Sequence, residues 1–411
     1  MSAENNDKNF PRGNMSYYRL NKEIEKRLNE IPSWNNTKKG FRLGFPQTKP
    51  HKSALIGFKK LLEANSNNIG DNNDDVDLVG TRAMEYEVIR SSAELFGDKN
   101  AKGYISTGGT ESNIEAIWLI VNNFKLNRDK IALIKSPLTH YSIEKAASIM
   151  NLKTYDTSLF DNKMNVEDLC HLIKYLYTKR NFRGFIIVGT VGNVSTGTSD
   201  NIEDITKAIK KLNFKNKIKV AVHVDAAFGG LVAKFVGDNK KFDFTNRMVS
   251  TLTVDFHKMG MCPYPAGLFL CRQNLVHDIK MYNSYGNTTH DWMVSGSRSG
   301  ASVASCWAAI NSIGYDGYRK NAIRCIDMKE WLINQLLDKF PDIKIIKNNL
   351  NVAAVRFTGF DGERLSAYME EKYRLYYTLI NNEKWYKIYI MPHVKKKFLH
   401  EFLRDLENEY I

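Results

Sequence analysis

Between residues 81 and 270 the chain alternates two patterns: stretches whose apolar positions recur at helical spacing, and short runs rich in β-branched and aromatic residues. The helical spacing predicts helices over 84–96, 111–124, 142–150, 166–177 and 202–212, and the short runs predict strands over 131–135, 185–189, 219–224, 251–254 and 267–271. Phe185, Ile186, Ile187 and Val188 are apolar at every position, as a parallel strand covered by helices on both faces requires. Strands alternating with helices in this way predict an α/β fold, a large three-layer sandwich. After Gly314 the rhythm changes to a long helix over 322–339, strands over 343–346 and 352–357, a helix over 363–371, a strand over 385–391 and a closing helix over 396–409. That is the pattern of a smaller α+β unit. Residues before about 50 are polar, contain Pro11, Pro32, Pro46 and Pro50, and offer one helix at 20–28. The expected organisation is an N-terminal extended or helical segment (1–50), a large α/β domain (51–314) and a small C-terminal α+β domain (315–411). The polar run from Asn65 to Asp75 reads as a loop.

Composition narrows the class. With 411 residues, 43% of them hydrophobic and 25% charged, the chain can bury a core without metals or disulfides. No apolar run approaches the roughly 18 residues of a spanning helix. The start, from Met1 to Lys8, has neither the basic region nor the apolar core of a secretory signal. A soluble, cytoplasmic protein with no membrane contact is expected. Its five cysteines are scattered without metal-ligand spacing, which fits free thiols in a reduced compartment and no metal site. The formal charge of +14 is spread in lysine pairs such as Lys59 with Lys60, and reads as solvated surface rather than a nucleic-acid patch.

Four places gather chemistry. Lys258 follows the strand that ends at Val254, at the carboxyl edge where open α/β sheets bind ligands; considered alone it is an ordinary loop lysine. Asp225 ends the strand that starts at Lys219 and precedes Ala226, Ala227, Phe228, Gly229 and Gly230, small residues that let a bulky group approach the backbone. By itself it also reads as a helix cap. The run from Ser106 to Asn113 opens a helix with Gly108 and Gly109 before its first turn, an arrangement that offers free N–H groups to an anion, or no more than a capping box. His140 follows the strand at 131–135 at the same edge, where a structural histidine is equally at home. Together they supply an amine for an imine, an acid for a ring nitrogen, a cradle for phosphate and an imidazole for a ring face. Pyridoxal 5′-phosphate needs all four.

With these motifs in register, the chain resembles the group II pyridoxal-phosphate-dependent amino-acid decarboxylases of the fold-type-I, aspartate-aminotransferase-like superfamily. It is most similar to the archaeal tyrosine/aspartate decarboxylase branch. The likeness runs from about 45 to 411 and includes His257-Lys258-Met259-Gly260, Gly296-Ser297-Arg298-Ser299-Gly300 and Met391-Pro392-His393-Val394. It implies that Lys258 carries the cofactor, that Asp225 pairs with the ring nitrogen and that His140 stacks on the ring. It also implies that Gly109, Thr110 and His257 hold the phosphate, with Asp255 and His223 nearby. Ser297 and Ser299 would complete the site across a homodimer interface, and Tyr285, with Tyr282 as the alternative, would return the proton. Phe45, His51 and Arg298 would line the substrate pocket.

The loop from Gly189 to Asp200 is three residues longer than the family pattern and is similar to that of sphingosine-phosphate lyases, which leaves Thr190 and Thr196 as alternatives at the cofactor. Arg356 reads as a solvent-facing strand residue rather than a carboxylate ligand. The expected activity is decarboxylation of an L-amino acid, an aromatic one such as tyrosine or else aspartate. The rivals are a carbon–carbon lyase and a catalytically silent basic binding protein.

Overall fold

The computed structural model describes residues 15–32, 34, 41–70, 78–214, 217–236, 241–277, 279, 281–282 and 290–410, with backbone alone at 281, 282 and 290. Seven strands form the main sheet: β1 (Lys102–Ser106), β2 (Ile131–Lys135), β3 (Lys153–Asp156), β4 (Gly184–Thr190), β5 (Lys219–Asp225), β6 (Val249–Val254) and β7 (Gly267–Cys271). Their order across the sheet is β1-β7-β6-β5-β4-β2-β3. Only β7 runs antiparallel to its neighbours.

Side-chain alternation along β4 builds the two flanking layers. Phe185 and Ile187 pack with Leu169 and Ile173 of α6 (Val166–Lys179) and Ile202 and Ile205 of α7 (Ile202–Lys211). Ile186 and Val188 point the other way, against Ile117 and Ile120 of α4 (Gly109–Phe124) and Ile143 of α5 (Ser142–Ile149). All four strand residues are fully buried, so this strand is the centre of the sandwich. The covering helices start where local chemistry directs them. Asn165 caps α6 and Asn201 caps α7, and α7 carries Glu203 and Asp204 in its first turn and Lys210 and Lys211 in its last, matching the helix dipole at both ends.

Two strands of the main sheet lie where the sequence predicts none. β1 contains Lys102 and Gly103 and is only five residues long; β3, Lys-Thr-Tyr-Asp, is a partly exposed edge strand with no continuous apolar signal. Neighbouring strands, rather than propensity, hold both in place. The long helix also begins earlier than its periodicity suggests. α8 runs Gly300–Lys339, interrupted at Gly314, whose φ of 64° departs from helical geometry. It leads into an antiparallel sheet ordered β8-β9-β11-β10 (Lys344–Ile346, Val352–Arg356, Glu383–Tyr389, Tyr377–Ile380), flanked by α9 (Ala367–Tyr373) and α10 (Lys396–Glu407).

The N-terminal part includes α1 (Tyr17–Asn29), which buries nothing, and an extended strap over 41–51. The strap is hydrogen-bonded to α9 through Phe41 N–H to Lys372 O (2.6 Å) and to β11 through Tyr389 N–H to Leu43 O (2.7 Å). It then crosses to the main sheet, where His51 N–H donates to Met261 O (2.8 Å), and leads into α2 (Lys52–Leu62). After α2 comes α3 (Gly80–Leu95).

Candidate active site

The carboxyl edge of the main sheet brings the separate motifs together. In register, Thr190 of β4 lies beside Asp225 of β5, and Asp225 beside Thr253 of β6. Asp255 and Lys258 follow directly after β6. Lys258 Nζ is 2.9 Å from Asp255 Oδ2, and His257 Nε2 is 3.3 Å from the same oxygen. Burial works to lower the lysine's pKa, but the charge and hydrogen bond of Asp255 outweigh it, with Asp225 and Tyr264 adding to the effect, and the ammonium is held above its ordinary range. For Asp255, burial pushes the carboxyl up; Lys258 and His257 overcome that and hold it at about 2. Its second oxygen, Oδ1, is buried with no partner.

A hydrogen-bonded relay fixes Asp225. Asn113, on α4, donates through Nδ2 to Asp225 Oδ2 (2.9 Å) and to Ser142 Oγ (2.8 Å). Its carbonyl must therefore accept from His223 Nε2 (3.0 Å), whose Nδ1 pairs with the Thr251 hydroxyl (2.9 Å). Asp225 Oδ1 accepts the Ala227 N–H at 3.1 Å. His140 Nδ1 lies 2.8 Å from Ser142 Oγ and accepts the Ser142 N–H at 3.3 Å, which leaves the other ring nitrogen to carry the proton. Burial lowers the His140 pKa, and Ser142, bonded to both His140 and Asn113, ties the imidazole to the same relay as Asp225.

The start of α4 borders the same space. Gly108 provides no side-chain cap, Thr107 is tied back by Glu111 Oε2, and the first-turn amides are left without a side-chain acceptor. A Cβ on Gly108 would come within 2.9 Å of the His257 ring, and one on Gly109 within 3.2 Å of Asp255 Oδ2. Free amides, an imidazole, an amine and an anchored acid suit an aromatic aldehyde phosphate. So do two buried hydroxyls without partners, those of Thr190 and Thr253.

A model of the pyridoxal-dependent decarboxylase conserved domain matches residues 83–359, which span every element just described. The chain belongs to this family. It is 32% identical over 366 residues to a probable L-tyrosine/L-aspartate decarboxylase of Methanothrix thermoacetophila, covering 89% of each chain. It is 30% identical over 410 residues to a tryptophan decarboxylase of Clostridium sporogenes, covering 94% of this chain and 95% of that one. L-methionine decarboxylase from Streptomyces sp. 590 shares the fold, with a TM-score of 0.83, 15% identity and coverage of 97% and 96%. This protein is a pyridoxal-phosphate-dependent amino-acid decarboxylase.

Around this decarboxylase site, several residues lie apart from their expected roles. His223 is fully buried behind Asp225 and faces Asn113 instead of the cleft; burial drives its pKa down to about 4, so it is neutral. Arg298 is committed elsewhere: it forms a buried ion pair with Glu85, donates to Gly70 O (3.3 Å) and stacks on Tyr104, and this structural role replaces the expected substrate contact. Ser299 caps α8 through the Ser302 N–H (3.2 Å), and Ser297 accepts from Asn67 (3.0 Å), so within one chain neither reaches the cleft residues. Thr196 is engaged by Thr198 (2.7 Å), which leaves the unpartnered Thr190 as the hydroxyl of that loop free for a ligand.

His51 caps α2 through the Ser53 N–H (3.4 Å), while Phe45 meets Tyr376 edge-on at 5.4 Å on the strap. Arg356 is held by Glu363 (2.8 Å) and Glu383. Tyr285 lies outside the described residues, as does the Tyr282 side chain. Sequence reasoning passed over Asn113, although it stands inside the motif at the start of α4. It also passed over Tyr264, whose ring stacks on His257 at 4.0 Å.

Proposed function

We propose that Lys258 is the lysine that holds the cofactor, that Asp225 keeps the ring nitrogen protonated and that His140 lies against the ring. The first turn of α4, through Gly109 and Thr110, takes the phosphate together with His257. What carries this reading is the relay from Thr251 through His223 and Asn113 to Asp225: it presents one anchored carboxylate to the cleft that contains the Lys258 amine. Bound pyridoxal phosphate supplies a sink for the electron pair left behind when carbon dioxide departs. An acid within hydrogen-bond reach raises the pKa of its basic partner by about 1–3 units, roughly 1.4–4 kcal/mol in favour of the protonated ring. Asp255 would hold the free Lys258 amine as an ammonium, ready to give up a proton. Lys258 or Tyr285 then returns a proton to the α-carbon.

The substrate is an L-amino acid, drawn from the aromatic and acidic classes that the names of the relatives carry. The working form is a cytoplasmic homodimer with shared sites. Two features support that reading: the exposed apolar stripe Tyr17, Leu20, Ile24 and Leu28 on α1, and five free cysteines. Domain limits at 1–50, 51–314 and 315–411 accord with the break in α8 at Gly314. Incubating the cofactor-loaded protein with each common L-amino acid and detecting carbon dioxide and amine tests the reaction. Turnover should disappear in Lys258→Ala together with the visible absorption band of the bound cofactor. Release of an aldehyde without carbon dioxide would overturn the reading.

A further inference from the structure

The end of α3 and the break in α8 enclose a cavity of about 450 Å³, within the size range of small-molecule sites. Its walls are largely aromatic: Phe96 after α3, Phe235 after the short helix Gly230–Ala233, Phe256 after β6, and Tyr315 and Tyr318 on α8. Phe235 and Tyr315 meet edge-on at 5.0 Å, and Tyr315 is 60% exposed, so this pair forms the outer rim. Gly314 opens the space. Its φ of 64° breaks the helix, and a Cβ placed there would meet nothing within 4 Å.

Two charged residues line the cavity, and only one is compensated. Lys234 Nζ is 2.6 Å from Asp243 Oδ2, whereas among the described residues the Glu94 carboxylate has neither a hydrogen bond nor an ion pair. A carboxylate beside aromatic faces is complementary to an ammonium carried on an aromatic ring: the acid supplies the opposite charge, and the rings supply apolar surface and cation–π contact. An anion would meet the wrong charge.

The inner wall is shared with the turn that carries Lys258. Phe256 is buried two residues before the lysine, and the Tyr318 hydroxyl donates to Gly260 O (3.2 Å), two residues after it. Gly260 lies so close on Phe256 that a Cβ would come within 2.6 Å of the Phe256 Cα, and the Cys262 N–H closes the turn on Phe256 O (3.0 Å). A molecule in the cavity therefore touches the two side chains that hold this turn.

We propose that the cavity is a second ligand site, which binds an arylalkyl ammonium, the class of amine released from an aromatic L-amino acid, and is coupled through Phe256 and Tyr318 to the turn bearing Lys258. Naming that amine as a product rests on the decarboxylase reading; the site itself does not.

The probe is N,N-dimethylphenethylamine, a tertiary amine with no N–H from which to form an imine on the cofactor. Calorimetric titration of the holoenzyme should show it bind. Ser91→Trp, which fills the cavity from an exposed position in its lining, should abolish binding, and Glu94→Gln should weaken it about 3- to 10-fold. 3-Phenylpropionate, similar in size and opposite in charge, should not bind. Coupling is read from the cofactor: wild-type apoprotein and holoenzyme should differ in affinity for the amine by about fivefold or more, and Tyr318→Phe should bind the amine with that difference reduced. Absence of binding overturns the inference, as does unchanged binding in Ser91→Trp or equal binding of 3-phenylpropionate. Equal affinity in wild-type apoprotein and holoenzyme overturns the coupling. If no amino acid releases carbon dioxide, the decarboxylase reading fails, and the two titrations still decide whether the site exists.

Discussion

Asn113 spends every hydrogen-bonding group of its amide on the site: one N–H on Asp225, one on Ser142 and its carbonyl on His223. Replacing it with Ala leaves a buried imidazole N–H and a buried carboxylate oxygen without partners. Each orphan costs about 1–3 kcal/mol, so Asn113→Ala should lower the denaturation midpoint and weaken cofactor binding together. Chemical denaturation and a cofactor titration measure the two; a variant as stable as wild type would show that the relay carries no load. Asp225→Asn probes the end of the same relay. The shape is kept but the charge is lost, and the roughly 1.4–4 kcal/mol assigned to the protonated ring predicts a fall in kcat of about 10- to 1,000-fold with an unchanged circular dichroism spectrum. An equally active Asn variant would remove Asp225 from the reaction.

Among the elements, the start of α4 leaves little room beside the site. Gly108 has φ 154° and faces the His257 ring, and a methyl group there would lie 2.9 Å from Cε1. Gly108→Ala must therefore move His257 or the helix start, at a cost of about 1–3 kcal/mol, and should weaken cofactor binding on the order of tenfold or more while the main sheet stays folded. Unchanged cofactor affinity in a fluorescence titration would place the phosphate elsewhere.

Elements with strong local signals were readable from sequence. β4 is apolar from Phe185 to Val188, and α7 carries both its cap and its dipole-matched charges. β1 and β3 were not readable. β1 is held between α4 and β7, with Ser106 paired to Gly267, and β3 is held only along β2; neither advertises itself in its own residues.

A buried acid links α4 to the segment after 290 and sets a pH dependence for the molecule as a whole. Glu115 accepts from Tyr104 (3.1 Å) and from the Val294 N–H (2.7 Å), yet burial pushes its pKa up to about 8 from an ordinary 4.5. The folded state thus holds a proton that the unfolded chain gives up. The stabilisation is complete below about pH 4.5 and is lost as pH rises toward 8, at no more than about 1.4 kcal/mol per pH unit. Glu115→Gln, which cannot ionise, should match the wild type near pH 5 and exceed it in Tm at pH 8 to 9. Parallel Tm curves across that range would refute the assignment.

Local sequence determined which residues would stand at the carboxyl edge of the sheet. A strand's end, and therefore the position of Asp225 or Lys258, follows from periodicity and turn chemistry within a few neighbours. Tertiary structure alone decided which of these groups touch. Asp255 rather than Asp225 grips the free lysine, and Arg298 is spent on Glu85 from more than two hundred positions away in the chain. Contacts of that kind depend on how separate elements pack, and no local pattern encodes which charge will find which.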